Sequence, residues 1–452
     1  MSYIEESVDS SIICHNYLHC VYNIYYIYYT ICTAILYLFP HTPSLLVLFR
    51  DLPHVAVKMR TAPNKVTRDV QSYLVEASFL ASKACSALQL SETPTLSVAK
   101  CIKAEIRPND SAVDSKFSLL LEDFSPALGW SQSPLLDAEQ LLVGIEALAR
   151  FHAFFWNGGI YNSLLAPMDV SEIECSVWGV GSHWAPSRQA PEMIGQIADI
   201  WSKRSYGDAS IGFGDGSNAH MRIGERLQRV AQSVANECHF EPDSNSGSNT
   251  ESGNEHPHPH RTVIHGDAKA GNLFFRRCSR SDSQSQSDTQ SQSQSESLQV
   301  GLIDFQWCGF GLGATDLAYY IASSATSSAV DASGEKELGL LGAYHKVLTS
   351  TLHKLSIGTG NGTDNGDGDG TQTPIAIAIP SFDELVHQYE TGLLDICRIV
   401  FAYHWGRIPA SPMVFTPERR SMLAPCAYNK DTEVARWLVA RCDALLRKRE
   451  QA

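Results

Sequence analysis

Between residues 265 and 272 of "VIHGDAKAGNLFF" (263–275) stand His265, Asp267, Lys269 and Asn272 in the pattern H-x-D-x-x-x-x-N. A second acidic group, Asp304, ends "VGLID" and is followed directly by a Phe. Such a set suits phosphoryl transfer, in which an Asp positions and deprotonates an attacking hydroxyl. An Asn five residues on and a second Asp hold Mg²⁺ against nucleotide phosphates. A cation is also needed on the phosphates, and "HVAVKM" (54–59) offers Lys58 near the end of a strand. Eighteen residues later the helical stretch "VQSYLVEASFLASKA" (70–84) carries Glu76, the partner that would hold that lysine. Two other readings compete. One is a polar loop that needs only solvent; the other is a metal-dependent hydrolase with His265 and Asp267 as ligands, which would need further His or Asp ligands and leaves Lys58 and Glu76 unexplained.

The elements that must position these groups follow from local pattern. "TVI" (262–264) and "LFF" (273–275) are β-branched and aromatic runs, so residues 265–272 form a tight connection between strands. Without the Ser/Gln-rich stretch 279–297, Asp304 follows Asn272 after one short hairpin. "FSLLLE" (117–122) reads as a buried strand. Residues 137–156 repeat Leu141, Ile145, Leu148 and Phe151 or His152 at helical spacing, and 382–405 read as a largely apolar helix. His152 and Trp156 on the first of these helices fit core positions better than ligand positions. Asp395, Arg398 and Trp405 on the second suit either an acceptor pocket or a buried ion pair.

Of the 452 residues 44% are hydrophobic and 19% charged, the balance of a chain with a core to bury. The net charge of −14 argues against nucleic acid or anionic lipid as a general partner, since both require clustered Lys and Arg. Twelve Cys without a CxxC pair suggest reduced thiols and a cytoplasmic protein. Residues 21–39 carry no charge and approach the ~20 residues that cross a bilayer. Their Tyr and Ile content also suits strands, so a membrane anchor and a segment foreign to the mature fold both stay open. Glu5, Glu6 and Asp9 argue against a signal peptide. Residues 241–260, 279–297 and 357–373 are low-complexity insertions; the His-Pro alternation at His256, His258 and His260 fits a solvated linker.

Taken together, "VAVKM", "YLVEASF", "LLLEDF", "ALARFHAFFW", "VIHGDAKAGNLFF", "GLIDFQWCGFGLGATDLAYY" and "YNKDTEVARWLVARCDALL" resemble the aminoglycoside phosphotransferase and choline kinase superfamily. Within it they are most similar to the ecdysteroid-kinase-like, or CHK kinase-like, branch. The resemblance runs over about residues 50–447 and implies an α+β, protein-kinase-like two-lobed fold. An atypical apolar segment (1–50) would precede a small antiparallel β lobe (51–123) and a larger, mainly helical lobe (124–447). By the same resemblance Asp267 is the catalytic base, Asn272 and Asp304 hold Mg²⁺, and Lys58 contacts ATP, held by Glu76. The backbone around Glu122 and Asp123 meets the adenine, Lys269 steadies the transferred phosphoryl group, and His265 and Asp316 brace the catalytic loop.

The implied partner is a small-molecule hydroxyl acceptor. A protein acceptor fits less well, because the chain passes from Asp304 through "GFGLGATDLAYY" into a helix and leaves no long activation segment. One departure stands at the front. The family places a Gly-rich phosphate-covering loop before its Lys strand, yet residues 1–53 contain no Gly. This leaves a catalytically weak pseudokinase as the alternative function. The identity of the acceptor is not legible, because similarity of fold does not specify a ligand.

Overall fold

The chain combines helices with small sheets. The computed structural model describes residues 45–49, 63–91, 95–107, 116–157, 165–167, 176–186, 195–199, 219–240, 258–278, 297–358, 377–400 and 432–451. The first half holds β1 (Leu45–Phe49), α1 (Pro63–Leu80), α2 (Lys83–Leu90), β2 (Leu96–Val98), β3 (Cys101–Arg107), β4 (Lys116–Glu122), α3 (Ala138–Phe154), β5 (Ala166–Pro167), β6 (Ser176–Val177) and α4 (Ala219–His239). The second holds β7 (Arg261–Ile264), β8 (Leu273–Cys278), β9 (Ser297–Leu302), β10 (Gly309–Leu312), α5 (Gly313–Ser324), α6 (Glu335–Gly358), α7 (Phe382–Val400) and α8 (Thr432–Gln451). The 21–39 run, the Lys58 strand, Trp405 and nearly all of the three low-complexity segments lie outside the described residues. Among those described, no helix is long and apolar enough to cross a membrane.

In the first sheet β4 lies between β1 and β3, antiparallel to both. Leu45 faces Glu122 in register and Phe49 faces Ser118. The end of the apolar N-terminal segment, set apart in sequence as 1–50, is therefore part of this sheet. "LLVLF", which lies beyond the 21–39 run, pairs with β4 as a strand.

The stretch 70–84, one helix by pattern, is divided between α1 and α2 at Ala81 and Ser82. The Ser82 hydroxyl donates to the Phe79 carbonyl (2.7 Å) and accepts from the Cys85 amide (3.0 Å). One side chain thus closes the first helix and caps the second, the position serine favours over a helix interior.

α3 begins in a capping box: Asp137 accepts from the Gln140 amide at 2.9 Å, and Gln140 returns a bond to the Asp137 amide. Its residues Leu141, Ile145, Leu148 and Phe151 are wholly buried, the stripe that helical spacing predicts. Gly144 sits on this face because Tyr320 crosses it. A Cβ there would stand 2.0 Å from the Tyr320 hydroxyl oxygen. Helix propensity favours Ala over Gly by about 1 kcal/mol, whereas overpacking a filled core costs about 1–3 kcal/mol. Gly144→Ala is therefore expected to lower the urea midpoint of unfolding; a raised midpoint would show that Tyr320 moves aside freely.

Two small antiparallel units carry the polar cluster. β8 and β9 pair from Leu273 with Leu302 to Cys278 with Ser297, and β2 adds to β9 in parallel. β7 pairs with β10, Ile264 opposite Gly309. Behind them Phe305, wholly buried, is surrounded by Phe79 (centroids 4.8 Å apart), Phe151 (6.0 Å) and His265 (4.9 Å). This ring cluster joins α1, α3 and the start of the 265–272 loop to the residue that follows Asp304, so the backbone at Asp304 is fixed from three sides.

The choice left open at Asp395 and Arg398 resolves as a buried ion pair. Arg398 bonds Asp395 and reaches the Trp184 carbonyl at 3.2 Å, and His239 meets the other Asp395 oxygen at 2.9 Å. Burial alone would raise the Asp395 carboxyl, but Arg398 and His239 outweigh it and hold it below the usual range.

Candidate active site

β7 delivers the chain to His265, and Gly266 turns it with φ +78°. A Cβ at Gly266 would lie 2.1 Å from the Trp307 carbonyl oxygen and 2.6 Å from the Ser182 nitrogen, so this close approach of backbones requires glycine. Asp316, from the first turn of α5, accepts from the His265 amide (2.6 Å) and the Gly266 amide (2.9 Å). Its carboxylate also meets the His152 ring at 3.2 Å, and the other His152 nitrogen meets the Tyr344 hydroxyl at 2.8 Å. His152 is thus a bonded core residue, as is Trp156, whose indole donates to the Ala378 carbonyl at 2.9 Å. The His265 ring bridges the Ile303 carbonyl (2.9 Å) and the Asp267 amide (3.3 Å). Both ring nitrogens face backbone, which leaves neither to coordinate a metal and removes a ligand from the hydrolase reading.

Asp267 is 6% exposed, and both its oxygens are engaged. Oδ1 accepts from the Tyr319 hydroxyl at 2.8 Å. Oδ2 accepts from the Lys269 ammonium and, at 3.2 Å, from Asn272 Nδ2, which also donates to the Asp267 carbonyl at 2.9 Å. With Nδ2 so directed, Asn272 keeps its amide oxygen as an acceptor for a cation. A 3-10 turn at Ala270–Asn272 places it, fixed by the Ala270 amide on the Ser324 hydroxyl at 2.8 Å. Burial alone would lower the Lys269 ammonium, but Asp267 and Asp304 outweigh it and keep the group above its ordinary value.

The β8–β9 pairing brings Asp304 beside this loop, with the Ile303 amide on the Asn272 carbonyl at 3.1 Å. Asp304 adopts φ +66°, rare for a residue with a side chain. Its Oδ1 is buried without a hydrogen-bond partner among the described residues. Burial, and then Asp267, push its carboxyl up. Glu76 accepts from the Phe305 amide at 3.2 Å, and burial and Asp304 push it up to about 8. Asp304 thus feels the negative charge of both Asp267 and Glu76, while Lys269 bonds Asp267, and an orphaned buried carboxylate oxygen marks where further positive charge fits. Among the described residues no group of three or more His, Cys, Asp or Glu is placed to hold a metal ion. One carboxylate and one amide oxygen suit Mg²⁺, which retains water and completes its shell with substrate phosphates.

Lys58 lies outside the described residues, so its pairing with Glu76 does too. Glu122 is exposed, and its amide donates to the Lys100 carbonyl at 2.9 Å. That N–H is thereby bonded to the residue just before β3. Asp123 follows at the strand end, its carboxyl raised by burial. Sequence reasoning passed over Tyr319 and Ser324. Tyr319 stands three residues after Asp316, on the same side of a helix, and that spacing was the available signal.

Comparison with known proteins places residues 225–357, the stretch that contains Asp267, Asn272, Asp304 and Asp316, in a match to the ecdysteroid kinase-like family. The resemblance read from the motifs holds over that stretch. No curated protein matches the chain. One solved structure, that of a microcompartment-associated aminopropanol kinase, aligns with 90% of this chain and 86% of its own at 11% identity and a TM-score of 0.31. That likeness is too slight for any argument to rest on.

Proposed function

We propose that this chain is an ATP- and Mg²⁺-dependent kinase that phosphorylates a hydroxyl group of a small molecule. The observation that carries the reading is the orphaned Asp304 Oδ1 beside the bonded pair Asp267 and Asn272. The family match over 225–357 supports it. In the two-lobed arrangement this implies, the β1–β4–β3 sheet with α1 forms the nucleotide side and the helices from α3 onward form the acceptor side.

Asp267 takes the proton from the acceptor hydroxyl as that oxygen bonds to the γ-phosphorus. The bond from phosphorus to the β,γ-bridging oxygen breaks, and ADP leaves with the electron pair. Lys269, already in contact with Asp267, balances charge on the transferred group. Asp304 and the Asn272 amide oxygen would hold Mg²⁺, which neutralises charge on the phosphates when bound. Lys58 and Glu76 would fix the α- and β-phosphates, and Asp316 and His265 keep the loop in shape. The setting we infer is cytoplasmic, with no nucleic-acid partner.

The test is calorimetry of ATP binding with and without Mg²⁺, on the chain and on Asp304→Asn. Asn tolerates positive φ far better than Ala does, so the variant isolates charge from backbone strain. Mg²⁺-dependent binding is expected, weakened at least tenfold by the substitution; equal binding by both proteins would remove the metal role of Asp304. The Gly-free front (1–53) favours a second reading, a catalytically weak pseudokinase acting as a binding or scaffold protein. Nucleotide binding without ADP formation for any acceptor would select it.

A further inference from the structure

We infer that Tyr319 is a positioning residue for phosphoryl transfer, turning the Asp267 carboxylate so that Oδ1 receives the acceptor's proton. The inference rests on the kinase reading and deepens it. Three side chains of α5 grip the 265–272 loop: Asp316 holds the His265 and Gly266 amides, Tyr319 holds Asp267 Oδ1, and Ser324 holds the Ala270 amide. Within the loop Asp316 and Ser324 bind only backbone amides, so they shape it. Tyr319 binds the reacting side chain itself.

Its phenol is buried, 4% exposed, and its ring is locked in the core. The hydroxyl is therefore delivered at a fixed point, and a carboxylate held at one oxygen by a rigid donor cannot rotate about its terminal bond.

The remaining capacity of the carboxylate names the reacting atom. An ionised carboxylate offers about four lone-pair sites, two on each oxygen. Among the described residues Lys269 and Asn272 occupy Oδ2, and Tyr319 occupies one site on Oδ1. The site left for the acceptor hydroxyl is the second on Oδ1. When the proton arrives there, Tyr319 and the acceptor oxygen share one atom of Asp267, and the phenol sets the direction from which the hydroxyl must approach.

The experiment measures ADP release from Mg²⁺-ATP by the full chain, with water alone and with choline, glucose, an aminoglycoside or cholesterol as acceptor. Tyr319→Phe keeps the ring and removes only the donor. It is expected to lower kcat about tenfold, with KM for ATP and the melting temperature unchanged. In an Asp267→Asn background the same change is expected to have no further effect, because the two residues act as one unit. If Tyr319→Phe turns over like the parent while Asp267→Asn does not, the inference fails and the kinase reading stands. A loss of kcat matched by a lowered melting temperature would reduce Tyr319 to packing and also overturn it. If turnover is absent, or is unaffected by Asp267→Asn, the kinase reading fails and this inference fails with it.

Discussion

Asp267→Asn is expected to lower turnover by about 10²- to 10⁴-fold, the range for losing a positioned general base, while leaving Mg²⁺-dependent ATP binding nearly intact. The substitution keeps size and shape but exchanges one carboxylate oxygen for an amide. Lys269 and Asn272 both donate towards Oδ2, so the new NH₂ group cannot sit there without facing two donors. It turns instead towards Tyr319, whose hydroxyl can accept as well as donate. The amide oxygen then keeps Lys269 and Asn272 in place, and no group remains to take a proton. Fold and nucleotide site survive because the groups proposed for the metal, Asn272 and Asp304, are untouched. Single-turnover ADP formation and calorimetry on the same preparation separate the two effects. Turnover within threefold of the parent would remove Asp267 from the chemistry.

The arrangement of the 265–272 loop beside Asp304 was legible because its parts are local. Two apolar runs around a polar stretch announce the turn from β7 into the β8–β9 hairpin, and the hairpin by itself sets Asp304 beside Asn272. Helical spacing likewise gave the buried stripe of α3. What stayed hidden depends on partners far away in the chain. Asp395 and Arg398 stand three residues apart, a spacing that serves a pocket and an ion pair equally. His239 and Trp184, both distant in sequence, decide the matter. Tyr319 reads as one more apolar position in "DLAYY" until the loop it faces is in place. The division of the helix at Ser82 was hidden for the opposite reason. Apolar spacing continues through the break, and a serine that ends one helix and begins the next looks like a tolerated helix residue.

Asp316→Ala is expected to destabilise the fold by about 3 kcal/mol or more, since it orphans three buried donors at about 1–3 kcal/mol each, and to abolish activity without touching a reacting atom. The carboxylate is 2% exposed and serves three donors: the amides of His265 and Gly266 and the ring of His152. His265 and His152 are wholly buried, so water has no ready path to replace the acceptor. Each orphaned donor costs about 1–3 kcal/mol, a large part of a total stability that is commonly 5–15 kcal/mol. Asp316→Asn should fall between, since one amide oxygen can still serve a backbone N–H while the NH₂ group opposes the other. The damage should also be local. Once both amides are released, the turn at Gly266 keeps only the His183 amide on its carbonyl and the bonds of the His265 ring, so Asp267 is held less firmly in direction even where the chain stays folded. Urea denaturation reads the global cost. Amide exchange at His265 and Gly266 reads the local one, which matters because a chain of this size need not unfold in a single step. Protection of those two amides equal to that in the parent would show that something other than Asp316 holds the loop.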